Sequence, residues 1–160
     1  MTHLEIYIVP YVISNAVALF ILWSAWKKPV LARLLFFILF LWAFIMNLTT
    51  ALTNPNDYLN YSEMAAVWYR SFIDGWFKDH ITIVVVAIAI GQALIAIGML
   101  LKGTLVRLAG VGAILFLIAI APLGVGSAFP FSITASVAAW LIIRRKNLEY
   151  LWKFWQPKST

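Results

Sequence analysis

Few residues in this chain are of types that do chemistry, and they fall into two sets. The first lies in one stretch, NPNDYLNYSEMAAVWYRSFIDGWFKDH, from Asn54 to His80, which holds Asp57, Glu63, Asp74 and Asp79, four of the six acidic residues. Asp74, Asp79 and His80 supply proton donors and acceptors for a surface acid–base site. The plainer reading of acids in such a loop is topology and solubility. Glu63, Trp68, Arg70, Asp74, Trp76, Asp79 and His80 together make the one polar and aromatic surface that could meet a partner or roof a pocket. The two histidines, His3 and His80, could as a pair ligate a haem iron or a metal. No motif surrounds either one, so a solvated or helix-capping imidazole is the simpler expectation, and no metal site is assigned.

The second set consists of three amides set in apolar runs: Asn15 and Gln92 near mid-run, and Asn47 about a turn and a half from the end of its own. An unsatisfied amide in hydrocarbon costs several kcal/mol, so each must find a partner. Two readings stay open. One is an interhelical hydrogen bond, worth about 0.6–2 kcal/mol. The other is a pocket among Asn15, Asn47 and Gln92, beneath the 54–80 loop, that holds the polar head of a quinone or a lipid. No acid or base lies deep in an apolar run, where proton relays and ion paths place them. P-loop, dinucleotide, zinc-helix and nucleophile-elbow motifs are missing, and nothing identifies a self-contained enzyme. The chain has no cysteine, which excludes disulfides, iron–sulfur clusters and zinc-thiolate sites.

The elements that must position these residues are membrane helices. Of 160 residues, 64% are hydrophobic and 11% charged, with a mean hydropathy of +0.93. A soluble domain of this length needs more polar surface than that. A crossing takes about 20 apolar residues. Stretches 6–26, 31–52, 81–101 and 105–121 meet or approach that length, and 129–143 is a shorter fifth. The expected fold is therefore an all-α integral membrane protein of five spans in one membrane domain, 1–160. Met1 to Val9 holds Glu5 and no Lys or Arg, which predicts an uncleaved first span.

Charge placement predicts the orientation. With the N-terminus outside, Lys27, Lys28, Arg33, Lys102, Arg107, Arg144, Arg145, Lys146, Lys153 and Lys158 fall inside, and only Arg70 and Lys78 fall outside. This predicts an N-out, C-in protein of the cell (inner, cytoplasmic) membrane, and it explains the net charge of +6 without a nucleic-acid partner. Two segments are expected to lie along the interface as amphipathic helices. In the first, within 54–80, Met64, Trp68 and Phe72 share a face, Asn60 and Glu63 fit a capping box, Arg70 and Asp74 fit an ion pair, and Gly75 fits a stop. Asp79 then fits a cap for the third span. The second is 147–156. Ala87-x-x-x-Gly91, Ala109-x-x-x-Ala113 and Ser132-x-x-x-Ser136 with Ala139 mark faces on which helices pack closely.

From Leu31 onward the chain resembles the DoxX/DoxD group of small membrane proteins. The resemblance rests on LARLLFFILFL, a helix entered through an Arg, on the aromatic loop with Pro55, and on IVVVAIAIGQALIAIGMLLKGTLVRLAGVGAILFLIAIAPLG, Ile83 to Gly124. It implies a four-helix bundle preceded by one added N-terminal helix. It also implies an accessory membrane subunit of a quinone-linked respiratory or redox complex, with other membrane subunits and the bilayer as partners and no covalent cofactor. Alternatives are a quinone- or lipid-binding membrane enzyme or module, and a membrane assembly factor or chaperone. Gln92 stands where relatives are expected to carry an acid, and an amide exchanges no proton at neutral pH.

Overall fold

The computed structural model describes the backbone of residues 3–155 and the side chains of residues 8–154. The His3 imidazole, Lys158 and the last residue of the expected 147–156 helix lie outside the described residues. Among the described residues the chain is helical and has no strand. Its α-helices are α1 (His3–Lys27), α2 (Pro29–Thr53), the short α3 (Val67–Phe72), α4 (Lys78–Leu100), α5 (Thr104–Ile120) and α6 (Phe131–Ile143). Four apolar helical stretches are long enough to cross a membrane: Ile8–Lys27, Pro29–Thr53, Val67–Leu100 and Thr104–Ser127. The chain is a membrane protein. The apolar α6 has 13 residues, about 20 Å of helix against about 30 Å of hydrocarbon.

These helices, the short α3 aside, close a ring in which α1 packs on α2, α2 on α4, α4 on α5, α5 on α6, and α6 on α1. Phe36, Phe40, Met99, Leu117 and Ile142 fill its centre, with the edge of Phe116 against Phe40 at 5.7 Å between ring centroids. Alanines let the helices close around these large side chains: Ala32, Ala96, Ala113, Ala135, Ala138 and Ala139 are all buried. Two of the small-residue motifs face this core. Ala109 and Ala113 are buried, as are Ser132, Ser136 and Ala139. Ala87 is instead exposed, and nothing lies within 4 Å of where a Gly91 Cβ would stand. That face of α4 points away from the ring. α4 and α5 approach closely at Gly98, where an added Cβ would lie 2.6 Å from the Ala109 Cβ.

The short α6 leaves a step at the end of the bundle opposite the basic cluster. The α5–α6 connection, Ala121–Ser127 in a 3-10 conformation followed by residues 128–130, fills that step. Irregular backbone at such depth must be covered by protein. The cover is the Pro55–Phe77 segment: the Ala66 N–H donates to the Pro122 carbonyl at 2.9 Å, and the Tyr69 hydroxyl donates to the Ala119 carbonyl at 3.1 Å. Gly124 has φ +60 and passes so near that an added Cβ would lie 2.8 Å from the Met64 carbonyl oxygen.

This covering task corrects several local expectations. The 60–74 stretch is not one helix. Pro55–Met64 is 3-10, Ala65 is extended, and the short α3 follows. Asn60 therefore sits inside a 3-10 run and starts no capping box with Glu63. Arg70 does not pair with Asp74, because α3 ends at Phe72 and gives way to a wider π turn over Ile73–Phe77, which breaks the i, i+4 spacing of an α-helix. The Arg70 guanidinium donates instead to the Ser62 and Glu63 carbonyls at 2.9 and 3.0 Å. Asp79 lies within the first turn of α4, whose N-cap position is Phe77, and no side chain caps it.

The C-terminal tail also differs from expectation. Residues 147–150 are not helical, and only Leu151–Trp155 forms a 3-10 turn. The Leu148 carbonyl accepts from the Gly103 N–H at 2.7 Å and the Glu149 carbonyl from Arg33 at 2.7 Å. Acceptors that a helix would use internally are thus taken by the bundle. Leu148 and Leu151 are buried beneath it, so the tail forms a strap across the basic end.

Candidate functional site

The amides sort into a pair and a single. On α2, the Asn47 Nδ2 donates to the Gln92 Oε1 of α4 at 2.9 Å. The Tyr58 hydroxyl donates to the Asn47 Oδ1 at 2.9 Å. Both amides accept at their oxygens and Asn47 donates onward from its nitrogen, so Tyr58, Asn47 and Gln92 form a directed chain from the 55–64 segment into the α2–α4 interface. In a low dielectric, such chains polarise their members in one direction. Gln92 is 1% exposed, and its Nε2 has no partner among the described residues. The donor chain therefore ends on a free N–H pair. Asn15 stands apart from it, donating to the Tyr11 carbonyl of its own helix and to the Ala128 carbonyl, both at 3.0 Å. Ala128 has a left-handed φ of 53, and Asn15 ties this turn before α6 to α1.

Tyr58, absent from the sequence-based candidates, sits just past the corner that ends α2. Burial pushes its hydroxyl pKa above the ordinary tyrosine value, with the negative charges of Tyr61 and Asp57 adding to the rise and a bond to Thr50 opposing it. No sequence signal pointed to it, because its partner lies 11 residues back across that corner.

At the same end, the surface residues have separate tasks. The His80 ring stacks on Trp76 at 4.6 Å, and its Nδ1 lies 2.8 Å from the Trp76 carbonyl. A carbonyl only accepts, so Nδ1 carries a proton. Asp79 and His80 line an open groove of about 220 Å³ with Lys78, Pro55 and Asn56. Glu63 and Asp74 are exposed outside that groove, and Arg70 is engaged with backbone. Trp68 is 67% exposed and Trp76 56%, an aromatic collar suited to the headgroup layer. Among the described residues no group of three or more His, Asp or Glu could hold a metal ion.

The basic end holds what sequence reasoning missed most. Arg33 is 2% exposed. Its Nε and Nη2 donate to the Met99 carbonyl at 3.0 and 2.8 Å, Nη2 also to the Leu101 carbonyl, and Nη1 to the Glu149 carbonyl at 2.7 Å. A guanidinium here satisfies the orphan carbonyls at the end of α4 and interacts favourably with the helix dipole. Arg145 does the same for α1, its Nη2 donating to the Ala25 and Trp26 carbonyls at 3.0 and 2.7 Å. The available signal was a lone charge in LARLLFF, four residues past the proline that starts α2.

No family model matches the chain, and neither a curated protein nor a solved structure matches it.

Proposed function

We propose that this chain is an accessory membrane subunit that acts by helix packing and docking within a larger complex. The observation that carries this reading is the use of the interior polar groups. Asn47 holds Gln92, Asn15 holds the Ala128 carbonyl, and Arg33 and Arg145 hold helix ends. The interior is built as cross-ties between elements, while outward faces such as Ile133, Val137 and Trp140 of α6 are apolar. That the complex is a quinone-linked respiratory or redox assembly rests on the resemblance of Leu31–Leu41 and Ile83–Gly124 to the DoxX/DoxD group. The proposed orientation, N-terminus outside and C-terminus in the cytoplasm, rests on the grouping of basic residues at one end.

One observation favours a second reading, a quinone- or lipid-binding module. The unpartnered Gln92 Nε2 is a donor suited to a ligand carbonyl. The two readings separate on extraction from native membrane in mild detergent, followed by a native gel and a mass-spectrometric inventory of what co-purifies. Companion subunits in fixed ratio support the first reading. A chain that runs alone with stoichiometric quinone or lipid, lost in Gln92→Leu, replaces it with the second. Client proteins without a fixed ratio would make the chain an assembly factor.

A further inference from the structure

The geometry at the basic end points to a binding site for the phosphate of an acidic glycerophospholipid, in a cleft formed by Arg33, Arg145 and Lys146. The inference rests on the chain being a membrane protein and is independent of whether it serves as a subunit. The cleft has a volume of about 230 Å³, and its wall includes Val30, Asn147 and Phe154. Among the described residues, three positive charges line it and no carboxylate does.

Each cation contributes differently. Arg33 is fixed by four bonds to carbonyls, which neutralise none of its charge. A guanidinium has five N–H groups, so one on Nη1 remains beyond those four. Arg145 is anchored through Nη2 alone, which leaves Nε and Nη1 for a ligand. Lys146 is exposed and has no hydrogen bond, ion pair or ring contact among the described residues. The one carboxylate nearby in sequence, Glu149, pairs with Lys153 at 3.2 Å. Three like charges converging on a half-enclosed cleft repel one another, and an anion there relieves that repulsion while receiving charge-assisted bonds.

The occupant follows from depth and lining. Arg33 lies one turn into α2, about 6 Å from its first residue, where apolar helix gives way to headgroups. A phosphate diester on the basic side chains would continue into acyl chain along Val30 and the exposed Phe154, which a free ion would leave unused. Basic pockets between membrane helices bind anionic headgroups in this manner.

The test uses the full chain, purified in mild detergent and delipidated. Phosphatidylglycerol, phosphatidylcholine and inorganic phosphate are added in turn, and binding is read by native mass spectrometry and by the shift in Tm. Phosphatidylglycerol is expected to bind at least ten-fold more tightly than phosphatidylcholine. Arg145→Gln/Lys146→Gln is expected to lose about that factor, while Arg107→Gln, outside the cleft, keeps it. Should the double variant fail to fold because the end of α1 loses its cap, Lys146→Gln alone decides, with an expected three-fold loss or more. Equal binding of the two lipids, or unchanged phosphatidylglycerol binding in folded variants, overturns the proposal. Inorganic phosphate that matches phosphatidylglycerol at equal concentration overturns the lipid assignment.

Discussion

At the residue scale, Arg33 and the Tyr58–Asn47–Gln92 chain have consequences that can be measured. Replacing Arg33 with Met leaves the Met99, Leu101 and Glu149 carbonyls without their donor, and losing a buried charge-assisted network costs roughly 3 kcal/mol or more. Arg33→Lys is expected to recover only part of this, since an ammonium has three donors and no planar fork. Thermal unfolding in detergent should rank the wild type above Arg33→Lys and that above Arg33→Met. For the amides, Asn47→Leu strands the Gln92 Oε1 and takes from the Tyr58 hydroxyl its 2.9 Å acceptor, leaving it the Asn47 backbone carbonyl at 3.3 Å. A double-mutant cycle with Gln92→Leu should give a coupling of about 0.5–2 kcal/mol; a coupling of zero would mean that the 2.9 Å contact contributes nothing. Tyr58 adds a pH dependence. Its pKa is raised in the folded state, so the folded protein favours the neutral phenol. That contribution is fully present below the unfolded tyrosine pKa, about 10, and is lost as pH rises through the folded value. Tyr58→Phe should flatten the fall in Tm above about pH 10, and an unchanged alkaline limb would contradict this.

At the element scale, the two ends of the bundle solve different problems. At one end α6 is too short, and the 55–77 segment covers the irregular connection that results. At the other, the tail straps the α4–α5 corner through Gly103 and Arg33. The α4–α5 hairpin depends on close approach at Gly98, where a methyl group would meet the Ala109 Cβ. Gly98→Ala is expected to destabilise by about 1–3 kcal/mol through overpacking. Gly91→Ala, with open space at its Cβ, is expected to be neutral or stabilising by up to about 1 kcal/mol through helix propensity. Melting both variants side by side distinguishes packing from propensity, and equal effects would remove the close-approach argument.

At the scale of the whole molecule, the described basic side chains concentrate at one end, and many lie against rings or helix ends there. Lys28 sits over Trp23, Arg144 over Trp140, and Arg33 and Arg145 cap α4 and α1. The proposed orientation can be read directly, because the chain has no cysteine of its own. In intact cells a membrane-impermeant maleimide should label Lys78→Cys, and it should label Arg107→Cys only after permeabilisation. The reverse pattern would invert the orientation.

Much of the architecture was legible in the sequence, because hydropathy and helix length act locally. The apolar runs, their charged stops and the all-helical class follow from the cost of exposing backbone polar groups in lipid. The need of Asn15, Asn47 and Gln92 for partners followed in the same way. Which partners they take did not, since the sequence carries no sign that α2 faces α4 at this height while Asn15 meets the turn at Ala128. The loop showed the same limit. Helical spacing in 60–74 and 147–156 was real, yet backbone donors and acceptors on distant elements competed for the same groups and prevailed. Arg33 is the sharpest case. Sequence placed it among the basic residues at a helix end, and only the tertiary structure turned it inward, because the carbonyls ending α4 needed donors that no residue of α4 could supply.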